Sequence, residues 1–420
     1  MAATTDTERE GRWVVKASQG SRDAINPVRG FEENLFKDAL KARRTDIEFI
    51  KLSIGDTTAL PVHPAVPEAV KKVLELGGCT GYGHSRGLPE TRAALARLYS
   101  PFTLDPRGLT AEDVIMTNAC SGALETCLTV LTEPGQNILV PSPGFGLYSC
   151  LAGSRGIKCH FYRLQADRGW EADLADLERQ IDSETAAIIV NNPSNPCGSS
   201  YSKQHLLDIL AIAERHRLPI IADEIYAWMT FPGSEFHMLS SLSETVPILS
   251  CSSLSKRYMV AGWRMGWIIV HDRQNAFRDE VIPGLARLAT KVLGPSTLVQ
   301  AAIPDIISKV PEDYHQKNLS LFHRNALHIM EILGPAPGLF PVMPRAAMYH
   351  MVVIEMKHFP EFQSDVEFTK ALVIEQSVFC LPSPAFNTKD CFRIVLGCAE
   401  SKIQEACNRI AAFAKLHYKE

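Results

Sequence analysis

Between residues 114 and 270 the chain alternates short apolar runs with stretches of helical pattern, and few architectures accept that rhythm. Residues 114–117, 137–140, 186–190, 218–222, 246–251 and 267–270 are apolar runs bounded by turn formers. Runs of that length read as buried strands. Residues 122–131, 147–152 and 203–216 carry helical spacing between them. Strands that alternate with helices predict an α/β fold, a mainly parallel sheet flanked by helices. Such sheets bind ligands beyond the carboxyl ends of their strands. The residues that follow each run are therefore the ones to inspect.

On either side the pattern changes. Residues 1–20 are polar and weakly patterned, and are expected to be a mobile arm. Residues 31–43 read as one amphipathic helix and 49–52 as a short strand. Residues 64–76 read as a helix stopped by Gly77-Gly78. A glycine-rich exposed loop follows over 81–87. From about residue 310 the style becomes α+β: helices over 313–333, 364–376 and 402–417, with strands over 348–355 and 392–396. The expected division is a large domain over 61–310 and a smaller one built from 21–60 and 311–420.

Composition removes several function classes. The chain is 46% hydrophobic and 21% charged, which is globular rather than disordered. Net charge is −4 and no basic tract stands out, which argues against a nucleic-acid partner. No apolar run approaches membrane-spanning length, and the N-terminus lacks the pattern of a secretory signal. The eleven cysteines show neither a Cys-x-x-Cys pair nor zinc-type spacing. Reduced thiols in a cytoplasmic protein are expected, with no metal site.

Chemistry concentrates in four places. Lys256 sits in Ser252-Ser253-Leu254-Ser255-Lys256-Arg257, and Arg264 follows in Gly262-Trp263-Arg264-Met265-Gly266-Trp267. A lysine leaving a strand end beside hydroxyls, with a fixed cation downstream, suits a Schiff base with a phosphorylated aldehyde. A lone lysine is ordinarily a solvated surface charge, so the other three places decide the matter. Asp223 ends the run 218–222, where a carboxylate serves as a ring-nitrogen partner, a metal ligand or a helix cap. Tyr226 lies three residues on. Asn191-Asn192-Pro193-Ser194-Asn195-Pro196-Cys197-Gly198 is a turn by composition, with Asn195 able to donate to a ring oxygen and a carboxylate. Asn118-Ala119-Cys120-Ser121-Gly122 opens a helix after a strand. Its free N–H groups and the Ser121 hydroxyl suit a phosphate, and plain capping by Ser121 is the alternative. Phe145, after another strand, is either a stacking ring or core.

In this order the segments resemble the fold-type I pyridoxal phosphate enzymes of the class I/II aminotransferase group. The carriers are the Asn191 to Gly198 stretch, Ala222-Asp223-Glu224-Ile225-Tyr226, the Gly262 to Trp267 stretch, and His358-Phe359-Pro360-Glu361-Phe362. The resemblance runs from about Asn26 to Tyr418. It implies pyridoxal 5'-phosphate as cofactor, with Lys256 as Schiff-base residue and proton shuttle and Asp223 paired to the pyridinium. It implies Tyr226 and Asn195 on the ring oxygen and Phe145 stacked on the ring. The phosphate is implied to rest on Ser253, Ser255, Arg264, Ser121 and the backbone at Ala119 and Cys120. Tyr82 would reach the phosphate of a neighbouring subunit, which implies a homodimer with shared sites. Arg393 would clamp the substrate α-carboxylate, with Gly55 close to bound substrate.

Three positions depart from the group's pattern: Ala261 where a proline is expected, Arg345-Ala346 where small residues with a glycine are expected, and Asn118-Ala119 in place of Ser-Gly. All leave the reacting groups in place. The implied activity is ping-pong transfer of an amino group from an L-amino acid to a 2-oxo acid, both small molecules. The resemblance implies an aromatic donor, tyrosine first, and the apolar position of Phe145 agrees with it; 285–296 offers Arg287 and Lys291 but no arginine in a setting suited to a second carboxylate, so a dicarboxylate donor is not supported. The rival readings are a β-eliminating lyase on the same scaffold and a non-catalytic pyridoxal-binding regulator. The latter would carry a DNA-binding module ahead of this domain, and the roughly fifty preceding residues lack a helix-turn-helix pattern.

Overall fold

The computed structural model describes residues 15–55 and 60–420. Most of the expected mobile arm lies outside those residues. At its described end a helix capped by the Ser18 hydroxyl spans Gln19–Asp23. The first strand, β1 (Ile50–Lys51), belongs to none of the larger sheets and pairs in parallel with a strand far along the chain.

The large sheet has eight strands: β2 (Val114–Thr117), β3 (Asn137–Ser142), β4 (Lys158–Gln165), β5 (Glu171–Ala172), β6 (Thr185–Asn191), β7 (Ile220–Asp223), β8 (Ile248–Ser253) and β9 (Gly266–His271). Their order is β2-β9-β8-β7-β6-β3-β4-β5. The stretch from β4 to β8 is parallel throughout. The central strands are buried on both faces, as parallel strands under helices must be. Alternate residues serve opposite layers. Ile188, Val190, Ile220, Ala222 and Ile248 pack with Leu206, Ile209 and Ala213 of the helix Lys203–Arg215. Ala187, Ile189, Ile221 and Leu249 pack with Ala123, Leu124, Cys127 and Leu128 of the helix Ala119–Leu131. Each of the valine, leucine and isoleucine side chains among them, fully buried, contributes about 1.5–3 kcal/mol.

The smaller sheet contains β10 (Leu339–Val342) and β11 (Tyr349–Ile354). Next in the chain comes β12 (Val378–Phe379), the partner of β1, and then β13 (Leu381–Pro382) and β14 (Cys391–Val395). Its order is β10-β11-β14-β13, antiparallel throughout. The helices Glu312–Leu333 and Glu400–His417 share one core with it, through Phe322, Ile329, Ile403, Ile410 and Phe413. No helix among the described residues is long and apolar enough to cross a membrane.

One expectation changes, and two further features refine the rest. The single helix over 31–43 is broken: Pro27–Gly30 is α-helical, Phe31–Leu35 is a π-type turn and Lys37–Ala42 is α-helical again. A wider turn re-aims the following residues, and Phe36 beyond it is fully buried with its ring 4.7 Å from that of Phe379. The run at 267–270 is a strand but an antiparallel one, because the link from β8 to β9 holds no crossover helix. The proline-rich 334–344 hides β10, which tolerates Pro341 because it lies at a sheet edge.

One contact fixes the geometry where the strands end. Gly266 opens β9 and pairs with Thr117 on one side and Ser253 on the other. A Cβ there would lie 2.4 Å from the Ala119 carbonyl carbon and 2.7 Å from the Cys120 nitrogen. Backbone atoms cannot swing aside, so Gly266→Ala is expected to destabilise by about 1–3 kcal/mol and to push the start of the helix Ala119–Leu131 off the strand. An unfolding midpoint in urea equal to that of the parent would contradict this.

Candidate active site

The strand ends open into a cleft of about 990 Å³, within the size range of small-molecule sites. Gly55, Ala119, Cys120, Ser121, Phe145, Asn195, Asp223, Tyr226, Ser253, Ser255, Lys256, Arg264 and Arg393 all line it. Tyr82 does not. It stands 90% exposed on the loop over 81–87.

Asp223 is the last residue of β7 and is buried. Its Oδ2 accepts from the Tyr148 hydroxyl at 2.6 Å. Its Oδ1 accepts from the Cys120 thiol at 3.5 Å and from the Ile225 N–H at 3.3 Å. Burial pushes the carboxyl above its usual range, and these three bonds only partly offset that. A cation on its cleft side would reverse the shift.

Lys256 follows β8 across a tight turn in which the Ser253 hydroxyl accepts from the Ser255 N–H at 3.1 Å. Its ammonium donates to the Gly55 carbonyl at 2.7 Å. Arg264, just before β9, has left-handed backbone with φ 51°. It donates to the Ala261 carbonyl at 2.7 Å and to the Ser121 hydroxyl at 3.1 Å. Ser121 is therefore no cap. The cap position is Asn118, which makes no side-chain bond to the helix amides. Ala119 is also left-handed, at φ 61°. Two non-glycine residues held there, at roughly 1–3 kcal/mol each, flank one hollow where amides, a hydroxyl and a guanidinium converge.

The opposite wall belongs to the smaller sheet. Arg393 on β14 is buried and donates to Asn195 Oδ1 at 2.7 Å and to the Ser53 carbonyl at 2.6 Å. Its guanidinium lies between the rings of Tyr349 and Phe386, at 4.3 and 4.7 Å. Its Nε is buried without a partner among the described residues. Burial pulls its pKa below the usual value. Asn195 is held in turn, since Asn191 Oδ1 accepts its N–H at 2.7 Å and Asn191 Nδ2 donates to the Asp223 carbonyl at 3.0 Å. The Tyr226 and Tyr349 hydroxyls are 2.7 Å apart. Burial drives the Tyr226 phenol well up.

Sequence reasoning missed Tyr148, Tyr349, Ser53 and Asn191. Tyr148 lies three residues after Phe145, one helical turn on and beside the same cleft. Tyr349 sits opposite Val395 in the β11–β14 pairing, two positions from the partner of Arg393. Diagonal neighbours on one face of a sheet touch, so strand phasing was the signal available.

With that geometry in hand, comparison with known proteins is informative. The family model for aminotransferase class I and II matches residues 47–410. The chain belongs to the class I and II aminotransferase family. All the site residues named above fall within that span, and amino acids and 2-oxo acids are the family's small-molecule substrates. A tyrosine aminotransferase of Mus musculus is 46% identical over 413 residues, covering 98% of this chain and 89% of that protein. One of Bos taurus is 47% identical over 413 residues, covering 98% and 91%. The solved structure of tyrosine aminotransferase from Leishmania infantum superposes with a TM-score of 0.93 at 29% identity, covering 97% of this chain and 100% of that one.

Beside Asp223 this aminotransferase buries a second carboxyl. Glu224 Oε1 accepts from the Leu239 N–H at 2.9 Å, while Oε2 has no partner among the described residues. Burial raises its pKa from 4.5 to about 7. The folded state thus favours the protonated form. That contribution is fully present below 4.5 and is lost as pH rises through about 7, a difference of about 3 kcal/mol. Glu224→Gln keeps the acceptor for Leu239 and cannot ionise. Cofactor-free Glu224→Gln protein is expected to gain on the parent between pH 5 and pH 8 in urea unfolding. Parallel pH profiles would contradict the assignment.

Proposed function

We propose that this chain is a pyridoxal 5'-phosphate-dependent aminotransferase that takes the amino group from an aromatic amino acid, tyrosine first, and passes it to a 2-oxo acid. The observation that carries this is Arg393: a buried guanidinium, aimed into the cleft that holds Lys256, with no carboxylate partner among the described residues. A buried cation left unpaired costs several kcal/mol, and a substrate α-carboxylate removes that cost. The names of the relatives support tyrosine. So does the lining, where Val28, Leu52, Phe145 and Val395 supply apolar surface and neither Arg287 nor Lys291 takes part.

The residues present fit the cofactor. Arg264, Ser121 and the uncapped amides at Ala119 and Cys120 make a hollow for a phosphate. Ser253 and Ser255 adjoin it. Asp223 lacks only a cation, and Lys256 supplies the amine. When bound, the cofactor provides an aldehyde to carry the amino group and a protonated ring to draw electrons from the substrate α-carbon. Asp223 keeps the proton on the ring nitrogen. Tyr226 and Asn195 Nδ2 would donate to the ring oxygen, and Phe145 would cover one ring face. Arg393 orients the α-carboxylate, and Lys256 Nζ removes the α-proton and delivers it again. The reading includes a cytoplasmic location, supported by the cysteine pattern, and cell fractionation is its test.

Catalytic efficiency for tyrosine, phenylalanine, methionine, alanine and aspartate, against pyruvate and 2-oxoglutarate, tests the activity. Aromatic donors should lead, with neighbouring donors separated by only about 10–200-fold per methylene-sized difference. Aspartate ranking above tyrosine would overturn the donor assignment. Lys256→Ala should abolish turnover, and Arg393→Lys should not recover the parent's KM, since an ammonium lacks the planar fork.

The reading also includes a homodimer with shared sites, supported by the exposure of Tyr82. Subunits carrying Lys256→Ala, exchanged with subunits carrying Tyr82→Ala, form hybrids with one intact site. Activity is expected to climb above the mean of the two parents. A fully active monomer by light scattering would count against it.

A further inference from the structure

Tyr349 has no part in the chemistry above, yet it touches the groups that do. Its hydroxyl is 2.7 Å from that of Tyr226. Its ring lies 4.3 Å from the Arg393 guanidinium. It also shapes the strip of chain that receives Lys256. A Cβ on Gly55 would meet the Tyr349 hydroxyl oxygen at 2.3 Å and its ring carbons at 2.9 Å, and the Gly55 carbonyl accepts from Lys256. One buried residue thus contacts the phenol, the cation and the backbone around which the site is built.

A hydrogen bond between two phenols runs one way at a time, because each carries a single proton. Tyr226 cannot give its proton both to Tyr349 and to a cofactor ring oxygen. If it serves the ring oxygen, it must accept from Tyr349. The charges around Tyr349 favour that direction. Burial alone would raise its pKa, as would Asp223. Lys256, Arg393 and the bond to Tyr226 outweigh both, so the net direction is down. A more acidic phenol is the better donor. The Arg393 guanidinium against the Tyr349 ring favours Tyr349 as the donor and leaves Tyr226 as the acceptor.

We infer that Tyr349 is a positioning residue with two separable parts: its hydroxyl donates to Tyr226 and frees the Tyr226 proton for the cofactor, and its ring holds the plane of Arg393. The inference rests on the reading of Tyr226 as a cofactor partner. The second part follows from the box that Tyr349 and Phe386 make around the guanidinium. A planar fork is useful only if its plane is fixed.

The two parts predict different defects. A donor to the ring oxygen competes for the charge that otherwise holds the proton on the neighbouring nitrogen. Weakening that donor moves the pH titration of the bound cofactor's absorption upward. Tyr349→Phe is expected to move it by roughly half a unit to one unit, in the same direction as Tyr226→Phe and by less. The double variant should match Tyr226→Phe alone, since the outer hydroxyl acts only through the inner one. In Tyr349→Phe kcat should fall roughly two- to tenfold, while KM for the amino acid holds because the ring remains. Tyr349→Leu should raise KM as well. A parent-like titration in Tyr349→Phe, or full additivity in the double variant, would overturn the inference. If Tyr226→Phe itself leaves the titration unmoved, the reading of Tyr226 is wrong and this inference falls with it.

Discussion

The register of three parallel strands sets everything else. Asn191 lies opposite Asp223, and Asp223 opposite Cys251, at the carboxyl ends of β6, β7 and β8. A one-residue slip in any strand would turn its side chains to the other face. The Asn191 amide could then no longer reach the Asp223 carbonyl, and Asn195 would lose its anchor. Burial on both faces makes such a slip costly, because Ile188, Ile220 and Ile248 would exchange layers with Ile189, Ile221 and Leu249. The same aliphatic packing that holds the sheet together therefore places the side chains that line the cleft.

Two opposite charges are buried on facing walls, and the protein neutralises neither with the other. Asp223 takes three hydrogen bonds from neutral donors. Arg393 takes two neutral acceptors and two aromatic faces. Keeping them apart leaves each half-satisfied, and on the reading proposed above that unmet demand is what a zwitterionic substrate and a cationic ring would answer. Stored electrostatic cost of this kind is common where proteins bind charged small molecules.

Much of this was legible beforehand, and the reasons differ by residue. Asp223, Lys256 and Asn195 each follow an apolar run, so strand ends pointed to them. Arg264 and Ser121 stood in short motifs with chemistry of their own. Tyr148 and Tyr349 were not legible, because a tyrosine inside an apolar stretch reads as core until strand phase and helix rotation are known. The carbonyls of Ser53 and Gly55 were beyond reach for another reason: backbone acceptors carry no residue type. β10 escaped because proline masks an edge strand, and the break at Phe31–Leu35 because a widened turn keeps the helical rhythm on either side. Tyr82 was singled out from sequence, and nothing among the described residues gives its ring a partner.

The short stretch after β1 carries a consequence of its own. Ser53 and Gly55 stand two residues apart, and their carbonyls receive the two cations, Arg393 and Lys256. Each cation is thus held by a neutral oxygen. An incoming uncharged ligand would only exchange one neutral acceptor for another, with little net gain. A carboxylate offers an ionised acceptor in place of a neutral one, and hydrogen bonds to charged groups are worth about 1.5–3 kcal/mol. On the reading proposed above, the Ser53 carbonyl is an acceptor that a substrate carboxylate replaces at Arg393 with a net gain, whereas a neutral group of the same shape gains little by replacing it.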